Sequence, residues 1–271
     1  MNKKEKSSRK KEFLLIIPFI VLVLIMIPLF MPHEEPFFQF AKVSSENYAG
    51  NNTVQVYFIS WYGCPFGASD SWGLYIALSN YGQLNVTPNY SDVEAVPLTQ
   101  NQPVVGTVPG LTFNSFVPKS IVDFHPIYLL GRIYPNNTAV LPNGTIISWN
   151  KILNVELNEL KQEVPSWMYN LIYEYQIQLP YRNGQPIAEL GNPPHIVSTI
   201  IITGPHGTWM LMGYDQQVYY SAPGVLVLFA KQNHDAPLLL LEMIQQHNIP
   251  PGLNFIYEEG VQINNIILKA M

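Results

Sequence analysis

The sequence predicts an α/β domain preceded by one N-terminal transmembrane helix. Three observations support this prediction. A basic tail at residues 1–12 is followed by the uncharged apolar run Phe13–Met31. Beyond this run, β-branched and aromatic strand patterns alternate with segments of helical periodicity. The chain has a single cysteine, Cys64, which lies between a predicted strand and a predicted helix.

The run Phe13–Met31 has the length of a membrane span. As a helix it extends over about 28 Å, close to the hydrocarbon thickness of a bilayer. Six Lys and Arg residues lie in the tail before it, so we expect the tail in the cytoplasm and the rest of the chain outside. A cleaved signal peptide is the alternative, but its apolar core would be shorter, and no small-residue cleavage site follows. The retained anchor would contact the lipid bilayer through residues 13–31.

The charge of the remaining chain excludes one class of partner. After residue 12 the sequence holds only eight of its 14 Lys and Arg residues but 17 of its 19 Asp and Glu residues. Nucleic-acid binding needs a basic face that neutralises phosphates, and these scattered cations do not supply one. A surface made mostly of Tyr, Asn, Gln, Ser and Pro changes little when carboxylates protonate, so it suits an acidic exterior. The alternative is a surface that is merely polar.

Five Asn-x-Ser/Thr sequons follow the predicted anchor, and they are candidate glycosylation sites in a domain outside the cytoplasm. They are Asn51, Asn85, Asn89, Asn136 and Asn143. The last four lie in turn-like stretches that contain Pro or Gly, where a glycan can be accommodated.

The predicted organisation is a stalk at residues 32–50, a domain at 51–250 and a C-terminal extension at 251–271. The predicted strands are Val54–Ser60, Leu84–Thr87, Leu111–Phe116, Ile127–Ile133 and a hairpin of Ile196–Thr203 with Thr208–Gly213. The predicted helices are Ala68–Tyr81, Glu156–Glu163, Ser166–Leu179 with Ser166 as its cap, and a final helix that is capped by Asp235 and runs through about His247. Residues 88–112 are rich in Pro, Gly, Asn and Thr, which predicts an irregular segment.

The segment with chemistry is Trp61-Tyr-Gly-Cys-Pro-Phe-Gly67, between the first strand and the first helix. A Cys at a helix N-terminus faces unpaired N–H groups and the positive end of the helix dipole, and both favour the thiolate. Pro65 fits the first helical position because its missing N–H is not needed there. A single cysteine cannot form an intrachain disulfide, so the domain must be held together by its core.

The segment Tyr57–Ala77, YFISWYGCPFGASDSWGLYIA, resembles an uncharacterised thioredoxin-like family of membrane-anchored proteins from thermoacidophilic archaea. That family typically carries Trp-Cys-Pro-Phe-Cys-Ala before an aromatic-rich helix. The stretches Gly110–Phe116, Pro194–Gly213 and Ser221-Ala-Pro223 are also similar to it. The resemblance implies a thioredoxin-like fold with an inserted segment at about residues 88–165.

The resemblance also implies a site. Cys64 would be the nucleophile, with Trp61, Pro65 and Phe66 around its mouth and Pro194 as the cis-proline before the third core strand. Gly67 stands where the family has its second Cys, so dithiol turnover is not expected. The six histidines have no zinc-site spacing, and we expect no metal and no cofactor. His195, which follows Pro194, would come near Cys64 in such a fold.

Two functions remain open at this point. The first is a degenerate or monothiol redox role through Cys64 in a membrane-anchored extracytoplasmic domain. The second is a non-catalytic module of the cell envelope that binds a protein or glycan partner. The missing second Cys favours the binding module over turnover.

Overall fold

The computed structural model describes residues 35–99 and 101–271. The predicted basic tail, the predicted span Phe13–Met31 and the first residues of the predicted stalk lie outside this part. Within the described residues no helix is both long and apolar enough to cross a membrane.

The described residues form twelve strands and seven α-helices. The strands are β1 (Ala41–Ser44), β2 (Val54–Trp61), β3 (Gly82–Tyr90), β4 (Glu94–Thr99), β5 (Gln102–Gly106), β6 (Pro109–Pro118), β7 (Val122–Leu130), β8 (Arg132–Tyr134), β9 (Thr138–Val140), β10 (Ile146–Ser148), β11 (Thr199–Gly204) and β12 (Gly207–Met212). The helices are α1 (Pro65–Leu78), α2 (Ile152–Glu163), α3 (Ser166–Tyr173), α4 (Gln216–Tyr219), α5 (Ala222–Gln232), α6 (Ala236–Gln245) and α7 (Phe255–Ala270).

A mixed five-stranded sheet is the centre of the fold. Its strand order is β1-β12-β11-β2-β7, and β2 pairs in parallel with β7 while the other pairs are antiparallel. Strand β2, with the sequence VQVYFISW, is rich in β-branched and aromatic residues and is buried along most of its length. The predictions of a strand here and of a hairpin at β11–β12 are confirmed.

Helices cover both faces of this sheet, which makes three layers. On one face, Val56 and Phe58 of β2 pack with Leu74 of α1 and Ile263 of α7. On the other face, Ile59 of β2 belongs to the cluster that contains Leu160 of α2 and the α3 residues Met168 and Ile172. Alternate residues of one strand therefore support different helices, as the two-residue period of a strand requires.

Helix α1 starts earlier than the sequence predicted. We expected it to begin at Ala68, but it begins at Pro65, with Cys64 as the N-cap residue. Proline at the first helical position is compatible with this start. The helix packs closely against its neighbours, since a Cβ added at Gly110 of β6 would lie 2.6 Å from the Ala68 Cα atom.

Both ends of the predicted domain need correction. Part of the predicted stalk is β1, which pairs with β12, and the Phe38 N–H donates to the Met212 carbonyl oxygen. The predicted C-terminal extension contains α7, whose buried residues Ile263 and Ile267 belong to the core on the α1 face of the sheet. Strand β1 has only four residues and gives little pattern, whereas Ile256, Ile263 and Ile267 of α7 recur at helical spacing, a signal of burial that the prediction did not use.

The predicted insertion at 88–165 is also different in the structure. It includes β7, which is a strand of the central sheet, so the segment is not a single insertion. Around β7 lie the paired strands β3 and β6, the hairpin of β4 and β5, and the small sheet of β8, β9 and β10. The segment 88–112, which we expected to be irregular, is largely strand.

Two predicted helix caps are wrong. Ser166 is the first residue of α3, which follows Pro165 and has no side-chain cap. Asp235 precedes α6 but makes no capping hydrogen bond, and α6 is not the final helix, because α7 follows it. Helix α5 has no counterpart in the sequence prediction, because Pro223 and Gly224 lie at its start.

Candidate functional site

The N-terminus of α1 faces a cleft of about 910 Å³. Three of the predicted site residues, Cys64, Pro65 and Phe66, line it. Two others, Trp61 and Gly67, are buried behind Cys64 and line only a very small void that Cys64 shares. The structure therefore brings the predicted motif to one place, but divides it between the floor of a cleft and the packing beneath that floor.

The Cys64 thiol is enclosed and is 2% exposed. Burial raises the pKa of the Cys64 thiol to about 12, and the charges of Glu94 and Asp70 act in the same direction. The Gly67 N–H donates to the Cys64 Sγ at 3.3 Å and lowers the pKa, as does the Ser60 hydroxyl. The structure thus differs from the expected activated thiolate. The helix terminus does contribute as expected, but loss of hydration outweighs it.

Gly67 lies in the first turn of α1, at the position that the resemblance implies. A Cβ atom at residue 67 would lie 2.2 Å from the Ser60 Oγ and 3.2 Å from the Ser198 Oγ. Residue 67 therefore has no room for a cysteine side chain in the present packing. This close packing closes the route to an internal disulfide in the present sequence.

A partly buried ion pair forms one wall of the cleft. Asp92 accepts from the Arg132 Nη1 at 2.8 Å and from the Ile133 N–H at 2.7 Å, which joins the start of β8 to the loop after β3. The Arg132 Nη2 donates to the Asn89 Oδ1 at 2.7 Å. Gly63 makes room for this wall, because a Cβ there would lie 2.2 Å from an Asp92 carboxylate oxygen. The polar side chains of this wall are therefore held by one another.

A second carboxylate in the cleft has no such partners. Glu94 lines the cleft, and among the described residues it makes no hydrogen bond or ion pair through its side chain. Burial, reinforced by the charge of Asp92, raises the pKa of Glu94 to about 7. Unlike the ion-paired Asp92, the Glu94 carboxylate is available to a ligand.

Aromatic side chains form the opposite wall. The Phe38 ring lies 5.9 Å from Phe66, 5.6 Å from Tyr214 and 5.8 Å from Tyr181, measured between ring centroids. Phe66 and Tyr214 also contact each other, at 5.1 Å. Tilted and edge-to-face arrangements at these distances are favourable for aromatic pairs. Four segments that are distant in sequence thus meet in this aromatic wall.

The segment before β11 closes another side of the cleft, and its cis peptide bond joins Asn192 to Pro193. The prediction of Pro194 as the cis residue is wrong by one position, and Pro194 is exposed and does not line the cleft. His195, which does line it, donates a hydrogen bond from its Nδ1 to the Pro193 carbonyl oxygen at 2.8 Å and packs edge-on against Trp61. Burial lowers the pKa of His195.

Two buried polar side chains hold the backbone that follows. The Glu156 Oε2 accepts from the Ile196 N–H at 2.7 Å. The Gln176 side chain accepts from the Val197 N–H at 2.8 Å and donates to the Val197 carbonyl oxygen at 3.0 Å. Burial raises the pKa of Glu156 to about 8. Side chains from the α2–α3 layer therefore make the backbone hydrogen bonds that a neighbouring strand would otherwise make, and they fix the position of this segment.

The five sequons differ in their surroundings. Asn51, Asn85, Asn136 and Asn143 are exposed. Asn89 is half-buried, and its Nδ2 atom, to which a glycan would be attached, donates to the Tyr62 carbonyl oxygen at 2.9 Å. Glycosylation stays a prediction, and Asn89 is the least accessible of the candidates.

Comparison with known families now adds an identification. A family model described as a domain of unknown function, DUF929, matches residues 39–269. The chain belongs to the DUF929 family. The matched range includes both β1 and α7, in agreement with their place in the fold. Comparisons with functionally curated proteins and with solved structures found no significant match.

Several residues of this DUF929 site were not predicted from sequence. Asp92 and Glu94 belong to a segment that we interpreted as irregular, and Phe38 belongs to the predicted stalk. No local signal marks them, because each becomes part of the site only through long-range packing. In the described part of the chain, no group of three or more His, Cys, Asp or Glu side chains could hold a metal ion.

Proposed function

We propose that this chain is a membrane-anchored, extracytoplasmic thioredoxin-like protein that uses the cleft beside Cys64 to bind a ligand and carries out no dithiol redox turnover. The proposal keeps the kinship with membrane-anchored proteins of thermoacidophilic archaea that the Cys64 segment suggests. It makes the domain a binding module of the cell envelope.

The topology supports the thioredoxin-like part of the proposal. Four strands of the central sheet, taken in chain order as β2, β7, β11 and β12, are arranged in the order fourth, third, first, second. The first two are parallel and are separated by α1, while the last two form an antiparallel hairpin. A cysteine before α1 and a cis-proline before the third strand agree with the arrangement that the resemblance implies.

The anchoring part rests on the sequence. The basic tail and the apolar run at residues 13–31 favour a span with its N-terminus in the cytoplasm. Four exposed sequons and the low charge of the remaining chain fit a domain outside the membrane.

The binding function rests on one observation. The segment around Cys64, which would perform redox chemistry, is buried and forms the floor of a large cleft. A cleft of about 910 Å³ is in the range of small-molecule and peptide sites, and its lining combines aromatic side chains with a few polar groups. The thiol at its floor is protonated at any ordinary pH, since its pKa is raised to about 12. The cleft can therefore accept a ligand, although the thiol at its floor is not activated.

The test compares two adjacent tyrosines. Tyr220 lines the cleft and is 37% exposed, whereas Tyr219 is 41% exposed, stacks on Phe255 and does not line it. Saturation-transfer NMR would be measured with three probes: maltose, an end-blocked tyrosine-containing peptide and cadaverine. We expect at least one probe to bind, with binding weakened by Tyr220→Ala and unchanged by Tyr219→Ala and by Cys64→Ala. Equal binding by all variants, or binding of no probe, would contradict the proposal.

A monothiol role is the second candidate, and the position of Cys64 on the lining of the cleft favours it. In that case a ligand disulfide would be attacked by the Cys64 sulfur, which would form a mixed disulfide and release the other half of the ligand as a thiol. Incubation with glutathione disulfide and mass spectrometry separates the two candidates. Rapid formation of a Cys64–glutathione adduct in the folded protein would favour the monothiol role, and its absence would favour the binding module.

A further inference from the structure

We propose that the cleft binds an organic cation, an alkylammonium or guanidinium group that pairs with the Glu94 carboxylate beside the aromatic wall. This inference rests on the proposed binding function and specifies its ligand. The shared chemistry is that of a free amine and of a Lys or Arg side chain in a partner.

The strand that carries Glu94 directs it inward. Glu94 and Val96 are two residues apart on β4, so their side chains lie on the same face of the strand. Val96 is fully buried in the cluster that contains Trp72 and Tyr214. Glu94 lines the same cleft as Cys64.

The other charged side chains of the cleft already contact groups of the protein. Asp92 and Arg132 pair at 2.8 Å, and their remaining groups bond to the Ile133 N–H and to Asn89. Arg182 is exposed and lies over the Tyr181 ring, 4.9 Å from its centroid. Glu94 is therefore the carboxylate in the cleft for which the described residues supply no counterion.

A partly buried carboxylate without a partner has lost hydration and gained nothing in return. A ligand cation restores that interaction, and hydrogen bonds to charged groups are stronger than neutral ones. The same cleft offers the rings of Phe66 and Tyr214, and aromatic faces attract cations through their negative quadrupole. Charge complementarity and the aromatic lining thus select the same class of ligand.

Titration of Glu94 makes the binding dependent on pH. A cation binds the ionised carboxylate, so affinity is greatest above pH 7 and falls as Glu94 takes up a proton. The Cys64 thiol stays protonated over this range because its pKa is raised to about 12, and burial lowers the pKa of His195, which opposes the formation of a positive charge there. Loss of the pH dependence in Glu94→Gln therefore distinguishes Glu94 from these groups.

Calorimetry tests the inference with two end-blocked peptides, Gly-Tyr-Lys-Tyr-Gly and Gly-Tyr-Gln-Tyr-Gly, and with cadaverine. At pH 8 we expect the lysine peptide or cadaverine to bind about tenfold more tightly than the glutamine peptide. Tighter binding of the peptide identifies a protein partner as the source of the cation, and tighter binding of cadaverine identifies a free amine.

Two variants provide the control. Glu94→Gln should weaken cation binding by about tenfold and remove the decrease between pH 8 and pH 5.5. Glu242→Gln removes the same charge from an exposed position on α6 and should leave the affinity unchanged. If the glutamine peptide binds and neither the lysine peptide nor cadaverine binds more tightly, the cation inference fails while the binding function stands. If no probe binds, both fail.

Discussion

Helix α1 carries buried ionisable groups in two different surroundings. At its N-terminus, Cys64 lies on the floor of the cleft, where a ligand can approach. In its middle, Asp70 is fully buried against Glu259 of α7, and a Cβ at Gly73 would lie 2.5 Å from the Glu259 side chain. Both groups are kept in their neutral forms by burial. The difference is that Cys64 can contact a ligand in the cleft, whereas Asp70 is enclosed and can affect only the stability of the fold.

The comparison also shows that loss of hydration changes the pKa of a buried group more than the helix dipole does. Cys64 has the best position for dipole stabilisation, yet the pKa of its thiol is raised. Burial and the neighbouring Glu259 raise the pKa of Asp70 well above its ordinary value. Burial and the charge of Asp215 raise the pKa of Glu259 to about 8, although its hydrogen bond with Asp70 acts in the opposite direction. Such a pair is stable when it holds a shared proton.

The largest expected effect is therefore a loss of stability with rising pH. Both pKa values are raised on folding, so the stabilisation is complete below the unfolded-state values and is lost as pH rises through the folded-state values. We expect the free energy of unfolding to fall by roughly 2–5 kcal/mol between pH 4 and pH 9. Urea unfolding at several pH values measures this change.

Asp70→Asn is the matched variant for that experiment. It keeps the shape and can donate a hydrogen bond to Glu259, so the fall in stability should be clearly smaller. Asp123→Asn changes an exposed carboxylate, 43% exposed, and should leave the profile as it is. A stability that rises from pH 4 to pH 9 would contradict the assignment of a neutral pair.

The second prediction concerns residue 67. Gly67→Cys should destabilise the domain by about 1–3 kcal/mol, because its Cβ overlaps the Ser60 hydroxyl in a close-packed interior. Adding Ser60→Ala removes the nearest atom and should restore at least half of the loss. Ser60→Ala alone is the control for the effect of losing the hydroxyl.

The same double variant tests the geometry of the motif. Under mild oxidant its two thiols should form a disulfide, since positions three residues apart in a first helical turn are within reach. Mass spectrometry that finds both thiols free in the folded double variant would contradict the thioredoxin-like arrangement of residues 64–67.

The smallest expected effect is a difference in stability between variants of the two carboxylates of the cleft, Asp92 and Glu94. Asp92→Asn breaks the pair with Arg132 and should cost about 1 kcal/mol, a modest value because Arg132 is partly exposed. Glu94→Gln removes an unpaired, partly buried charge whose pKa is raised on folding, so at pH 8 it should raise the free energy of unfolding rather than lower it. Thermal unfolding of both variants measures the contrast, and equal losses would show that Glu94 also supports the fold.

The sequence predicted the elements whose local pattern is strong. The alternation in β2 and β11–β12 and the cysteine before α1 place the core of the domain and the floor of the cleft. Other parts depend on contacts between residues that are far apart in the sequence, and no local pattern predicts such contacts. Asn89, Asp92 and Arg132 become a wall only after β3 and β8 are brought together, and Gly67 gives no sign of the Ser60 hydroxyl that fills the space of a second thiol.

The pKa of Cys64 is the clearest failure of local reasoning. The motif predicts a helix terminus that favours the thiolate, and this interaction is present as the Gly67 N–H bond. Burial depends instead on residues from other elements, including Leu130 and Ile152 of the apolar cluster that contains Cys64, and no window around Cys64 contains that information.

The most direct test of the central claim is the rate of Cys64 alkylation by iodoacetamide as a function of pH. The account predicts a slow reaction whose rate rises continuously from pH 6 to pH 10 without a plateau, because the pKa of the buried thiol is raised to about 12. The same chain in concentrated urea, where the thiol has its ordinary pKa, supplies the reference profile. A plateau in the folded protein with a midpoint below that of the unfolded chain would establish an activated thiolate and contradict the account.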